Sequence, residues 1–345
     1  MTSNDASGPA RLEEGQRQGD HGFSAPAAAV TPVTPVAAGS SAASGGAGRF
    51  GRLVSGAPAR LLDGDPPPVD KHREVSEAAA RFRVGSNRLD GDVVRVPMRV
   101  GPWMAWSGGQ PCVGSLGVAL DNALGFSVFR VRPPGRGAVT TEISVDVAAP
   151  GPWRGEGLVA VGRLLSSDDV GGLAACEVVD DSGAIVVTGT ARCQFIPTPR
   201  ATGAGGDVRS PRSGVEPTAG FGVLDLLGGL MEPGETTARV VVKEPAPLSN
   251  GVGTVHGGVL FCLSEMAATA LTRPDHDLVV EQTTSVRVNY LRPARIDEPM
   301  TAVAEVLHRG RSVTVSRVTT SGTSGKPYTV AVVTRRRASS LATGH

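Results

Sequence analysis

Asp121 and Glu265 each stand inside an apolar run, and 144 positions separate them. Nearly the same offset recurs downstream. Thr140-Thr141 matches Thr283-Thr284 at 143, Pro150 matches Pro293 at 143, and Leu158-Val-Ala-Val-Gly-Arg-Leu-Leu165 matches Met300-Thr-Ala-Val-Ala-Glu-Val-Leu307 at 142. Four features in one order at an almost constant offset mean that one structural recipe is written twice in the 345 residues. Whatever this chain folds into, its two halves must fold alike.

The recipe reads as α+β. The first copy has a helix candidate at Val75 to Arg83, a strand at Val93 to Val100, a glycine-rich loop, and an apolar helix from about Val113 to Phe129. Strand patterns follow at Thr140 to Val147, Gly157 to Ser166, Leu173 to Asp180 and Ala184 to Phe195, with Asp181, Ser182 and Gly183 turning between the last two. The second copy has a helix candidate at Gly222 to Leu230, a strand at Thr237 to Val242, a glycine-rich loop at Ser249 to Gly253 and a helix from about Val255 to Leu271. Its strands fall at Thr283 to Leu291, Met300 to Arg309, Ser312 to Thr320 and Tyr328 to Arg337. A long helix followed by a run of antiparallel strands predicts a sheet wrapped around a helix, made twice.

The flanks read differently. Ala25 to Gly48 contains only Ala, Pro, Gly, Ser, Thr and Val, so residues 1–70 are expected to be a disordered tail. The stretch from Pro197 to Gly214 is rich in Pro, Gly, Arg and Ser and reads as a linker. The expected organisation is a first unit over 71–197, a linker over 198–217, a second unit over 218–339 and a short tail at 340–345.

Several function classes drop out. A net charge of +1 provides no field toward nucleic acid or an acidic membrane. No run of 18 apolar residues suggests a membrane span, and the N-terminus lacks the pattern of a secretory signal. Cys112, Cys176, Cys193 and Cys262 form no CxxC pair and no metal spacing with histidine, which suits a reducing cytoplasm and predicts no metal. P-loop, GxSxG and HExxH signatures are missing, and no GxGxxG follows a strand pattern.

The chemistry concentrates in Asn250-Gly-Val-Gly-Thr-Val-His256-Gly257-Gly258, which runs into an apolar helix carrying Glu265. The free N–H groups at such a helix start carry the positive end of the helix dipole. Glycine there lets a substrate oxygen approach closely, which suits a developing oxyanion. An acid more than two turns into an apolar helix is costly unless it is paired, hydrated or functional.

These residues resemble the PaaI-like hotdog thioesterases, whose pattern is Asn, five residues, His-Gly-Gly, an acid nine after the His, then Thr or Ser before a V-x-Y-L-x-P segment. Here that is Asn250, His256-Gly257-Gly258, Glu265, and Thr283-Thr-Ser-Val-Arg-Val-Asn-Tyr290-Leu-Arg-Pro293, with Glu265 where many members have Asp. The first half resembles the same unit with a degraded motif: Cys112 and Val113 replace His and the first Gly, Gly114 and Asp121 remain, and Trp106 falls at the place of Asn250.

The resemblance implies two tandem hotdog units packed as an intrachain pseudo-dimer. It implies acyl-CoA thioesterase activity without a cofactor, coenzyme A entering only as part of the substrate. It also implies a homodimer of such chains, and sites formed across the two units. One site would join Asn250, His256, Gly257 and Gly258 to Asp121 and Thr140 or Thr141; the other would join Cys112 and Gly114 to Glu265 and Thr283. The first is the better equipped, while the reading in which Glu265 serves its own half stays open. The acid would activate water or attack the carbonyl itself.

Duller readings stand beside each of these. His256 could merely begin the helix, Asp121 could be a structural acid, and Cys112 reads as a small buried thiol. Arg292, Arg295, Arg311 and the run Arg335 to Arg337 could meet coenzyme A phosphates or simply be exposed. Tyr290 and Pro293 read as fold markers. The rival functions are a non-catalytic acyl-CoA-binding hotdog protein and an acyl-thioester hydratase or dehydratase.

Overall fold

The computed structural model of the chain describes residues 75–106, 109–153, 155–197, 221–273 and 280–337. The tails expected at 1–70 and 340–345 and the linker expected at 198–217 lie outside the described residues. The first copy consists of α1 (Glu77–Arg81), β1 (Arg88–Asp90), β2 (Val93–Arg99), α2 (Gly117–Phe129), β3 (Arg136–Val147), β4 (Gly157–Ser167), β5 (Gly171–Asp180) and β6 (Ile185–Pro197). The second consists of α3 (Val223–Leu227), β7 (Gly229–Glu232), β8 (Thr237–Val242), α4 (Gly257–Thr269), β9 (Glu281–Tyr290), β10 (Met300–Arg309), β11 (Val313–Ser321) and β12 (Pro327–Arg337).

Three local differences from the sequence reading have physical causes. The helix expected to reach Leu230 stops at Leu227, because Gly228 adopts a left-handed conformation (φ 58°) and releases the chain into β7. The short strand β1 has no long apolar alternation to announce it and forms by pairing with β2. The helix expected from Val113 begins as a 3-10 turn over Val113–Leu116 and becomes α-helical only at Gly117, whereas α4 is α-helical from Gly257. His256 explains the second start: its side chain accepts from the Gly258 N–H and caps the helix, while Cys112 makes no such cap.

The twelve strands form one antiparallel sheet in the order β1-β2-β4-β5-β6-β3-β9-β12-β11-β10-β8-β7. Renumbering the second copy after the first makes this order a palindrome about the β3–β9 seam. There Ile143 pairs with Val288, Ser144 with Arg287, and Val145 with Val286. Offset by 143, Val288 is the second copy's Val145 and Val286 its Ile143, so the seam is self-complementary about Ser144 and Arg287, as in an isologous interface. Arg287 also grips Asp146 through two bonds of 2.7 and 2.9 Å.

Both long helices are apolar on nearly every side, so each must be covered on every side. Helix α2 lies on β2 to β6, and α4 lies on β8 to β12. Their remaining faces pack on each other, which is possible because glycines stand at the crossing. A Cβ on Gly117 would collide with the Gly258 carbonyl, and one on Gly258 with the Gly117 carbonyl. This close crossing brings each helix start beside the acid of the other helix.

Candidate active site

His256 and Glu265 lie nine residues apart on one helix. At about 1.5 Å and 100° per residue, that places them roughly 13 Å apart and on opposite faces. Neither acid can therefore serve the helix start of its own copy, and the structure pairs them crosswise.

In the first arrangement, Asp121 from α2 faces the start of α4. Its Oδ2 accepts from the Gly258 N–H at 3.1 Å and lies 3.2 Å from His256 Nδ1. Its Oδ1 accepts from the Thr140 hydroxyl at 2.9 Å. Burial opposes ionisation of Asp121, but His256, the Thr140 hydroxyl and the Gly258 N–H together outweigh it and hold the carboxyl below its ordinary range. The Gly257 N–H, at the first turn of α4, has no acceptor among the described residues and is partly exposed. A Cβ on Gly257 would stand 2.7 Å from Asp121 Oδ2, so glycine is what lets the acid reach the helix start. The arrangement thus offers a free backbone donor with a dipole behind it, next to an ionised carboxylate.

Two residues not anticipated as site residues complete it. Asn122 Oδ1 lies 3.1 Å from His256 Nε2. The Tyr290 hydroxyl donates to the Gly257 carbonyl at 2.9 Å. Burial, with Asp121 and Cys193 nearby, pushes the Tyr290 phenol well up, so it stays a donor. A signal for both was present in the repeat. At the offsets of 144 and 143, Asn122 matches Met266 and Tyr290 matches Val147, polar against apolar.

The second arrangement is built on the same plan. Glu265 accepts from the Thr283 hydroxyl at 2.6 Å, the Thr269 hydroxyl at 3.3 Å and the Cys112 thiol at 2.9 Å. Cys112 is fully buried, and burial, Cys262 and Glu265 push its thiol well up, which fits the small buried thiol and not a reactive one. A cavity of about 20 Å³, roughly one water molecule, is lined by Glu265, Thr269, Thr283 and Arg335. Arg335 takes the place that Cys193 has in the first copy. It is buried against Glu281 and the Ala268 carbonyl rather than exposed to meet a phosphate.

The remaining candidates fall elsewhere. Asn250 spends its side chain on its own loop: Nδ2 donates to Thr254 Oγ1 at 2.8 Å, and Oδ1 accepts from the Val252 and Thr254 N–H groups. It makes no hydrogen bond to Asp121 or His256. Thr140 and Thr141 separate, since a β-bulge turns Thr141 away to donate to the Arg192 carbonyl, just as Thr284 donates to the Thr334 carbonyl. Arg292 donates to the Pro327 carbonyl, Arg295 pairs with Asp297, and Arg311 is exposed in the turn between β10 and β11. Among the described residues no group of His, Cys, Asp and Glu could hold a metal ion, and no helix is long and apolar enough to cross a membrane.

Residues 245–336 match the family model described as the acyl-CoA thioesterase N-terminal domain. No curated protein matches the chain in sequence. The TesB protein of Mycobacterium avium subspecies paratuberculosis has a similar structure, with TM-score 0.52 and 10% identity over 76% of this chain and 99% of that one. Acyl-CoA thioesterase II TesB2 of Mycobacterium marinum gives TM-score 0.50 and 11% identity over 78% of this chain and 99% of that one. The PaaI protein of E. coli is 23% identical over 34% of this chain and 83% of its own, at TM-score 0.31, too low to argue from. Residues 245–336 are thus similar to an acyl-CoA thioesterase domain, and the fold is that of the hotdog thioesterases.

Proposed function

We propose that this chain hydrolyses an acyl- or aryl-CoA thioester to the free acid and coenzyme A, at one site shared between two hotdog units that act as an intrachain pseudo-dimer. The observation that carries this reading is the meeting of Asp121, from the first copy, with the His256-Gly257-Gly258 helix start of the second. The thioester carbonyl oxygen accepts from the Gly257 N–H, where negative charge gathers as the tetrahedral intermediate forms. Both Asp121 oxygens are already held by donors, which steadies the carboxylate as a base for water rather than freeing it to attack. Water loses a proton to Asp121, its oxygen bonds to the carbonyl carbon, and collapse expels the thiolate of coenzyme A, which takes the proton.

Asn250 acts in this reading by shaping the loop that delivers His256, and Thr140 by fixing the carboxylate. The palindromic sheet and the matched bulges support the pseudo-dimer. Four unpaired, buried cysteines support a reducing, cytoplasmic setting. Two chains per particle belong to the same reading, and a monomer on gel filtration would remove that part.

The test is thiol release from a panel of acyl- and enoyl-CoAs by wild type, Asp121→Ala and Glu265→Gln. Release by wild type and Glu265→Gln but not by Asp121→Ala is expected. Binding of acyl-CoA without release would replace this reading with a binding protein, and hydration of enoyl-CoA with a hydratase.

A further inference from the structure

We propose that Asn122 is a positioning residue that keeps the proton of His256 on Nε2, so that any second proton arrives on Nδ1, facing Asp121. This rests on the active site proposed above. The Asn122 side-chain oxygen is an acceptor and lies 3.1 Å from Nε2, so it bonds only to a ring that carries hydrogen there. With Nε2 protonated, the neutral ring uses its Nδ1 lone pair to accept from the Gly258 N–H at 3.1 Å. When a proton reaches Nδ1, that nitrogen instead donates to Asp121 Oδ2 at 3.2 Å, and the Gly258 N–H remains on the same oxygen at 3.1 Å. In the neutral ring the Gly258 N–H is shared between Nδ1 and Asp121 Oδ2, and in the charged ring it bonds to Oδ2 alone beside the new Nδ1 donor. A third group that fixes which imidazole nitrogen is protonated is a recurrent need where a histidine stands beside a working acid.

The second copy supports this from within the same chain. At the offset of 144, Cys112 takes the place of His256 and Met266 that of Asn122. Their sulfurs lie 3.4 Å apart, so the contact survives as geometry while both polar partners are lost together. An asparagine kept only for packing on α2 would have no reason to differ in step with the histidine. Among the described residues, Tyr290 and Cys193 are ionisable groups that face Asp121. Burial, with Asp121 adding, pushes the Tyr290 phenol well up and the Cys193 thiol up to about 12, so neither exchanges protons with the ring near neutrality.

The experiment is nitrogen NMR of the His256 ring in the full chain, beside kcat and KM for an acyl-CoA, in wild type, Asn122→Leu and Asn122→Asp. Wild type is expected to show Nε2–H. Asn122→Leu should shift population to the Nδ1–H form and lower kcat on the order of tenfold, with KM within about twofold. Asn122→Asp retains an acceptor and should retain Nε2–H. If Asn122→Leu keeps the wild-type nitrogen spectrum, or Asn122→Asp loses Nε2–H as fully as Asn122→Leu, the assignment is overturned. If wild type releases no thiol while the nitrogen spectra respond as stated, the Asn122 assignment stands and the thioesterase reading falls.

Discussion

The two acids of this chain, Asp121 and Glu265, occupy matching places in matching helices and live in different chemistry. Asp121 meets a helix start with a capping histidine, two glycines and a free N–H. Glu265 meets a thiol, a valine in place of the first glycine, and a 3-10 turn. Asp121 is held ionised by His256, Thr140 and Gly258 against the cost of burial. Glu265 shares its surroundings with Met266 and Arg335. One backbone plan thus carries two differently furnished sites, and the difference lies in the residues at the helix starts and in the strand positions opposite them.

The largest effect that would sharpen this comparison is the loss of Asp121. Asp121→Ala should lower kcat for thiol release on the order of 10² to 10⁴-fold, measured beside a melting curve that shows the variant still folded at the assay temperature. Activity near wild type would transfer the chemistry to the Glu265 side and break the comparison outright. Next comes Gly257→Ala, whose methyl group would stand 2.7 Å from Asp121 Oδ2 and displace the carboxylate. A fall in kcat of about tenfold or more is expected, while Val113, its counterpart, should accept Ala with no effect on rate.

Thr140→Val is smaller and tests the charge state. Thr140 lowers the Asp121 pKa, so removing its hydroxyl raises it. Activity that needs the ionised acid is lost as pH falls through that pKa, so the acid limb of kcat/KM should move to higher pH. In wild type it should lie below the ordinary carboxylate value of about 3.9. The same depressed pKa adds stability that is complete above the unfolded value and is lost as pH falls through the folded one. An acid limb that does not move would detach Thr140 from the working group. A similarly small change in rate belongs to Glu265→Gln, with kcat within about twofold. Its effect should appear in the melting temperature, because the amide cannot accept from Cys112, Thr269 and Thr283 as the carboxylate does.

Much of this was legible in the chain itself. Alternation in Val93–Arg99, long apolar runs at the two helices and a constant offset determined element order and duplication, because these signals are local or repeat at fixed spacing. The His256-Gly257-Gly258 start was legible for the same reason, since a helix cap is written in consecutive residues. Tertiary structure alone decided which acid meets that start, that Thr140 turns inward while Thr141 turns away at a bulge, and that Asn250 spends its side chain on its own loop. It also decided that Asn122 touches His256 and that Arg335 is buried. Asp121 and Asn122 reach His256 across 135 and 134 positions, Arg335 reaches the Ala268 carbonyl across 67, and Thr141 turns on a one-residue slip that reverses a strand's faces; no local pattern records these. They follow from two glycine-bearing helices crossing closely enough for each to present its acid to the other.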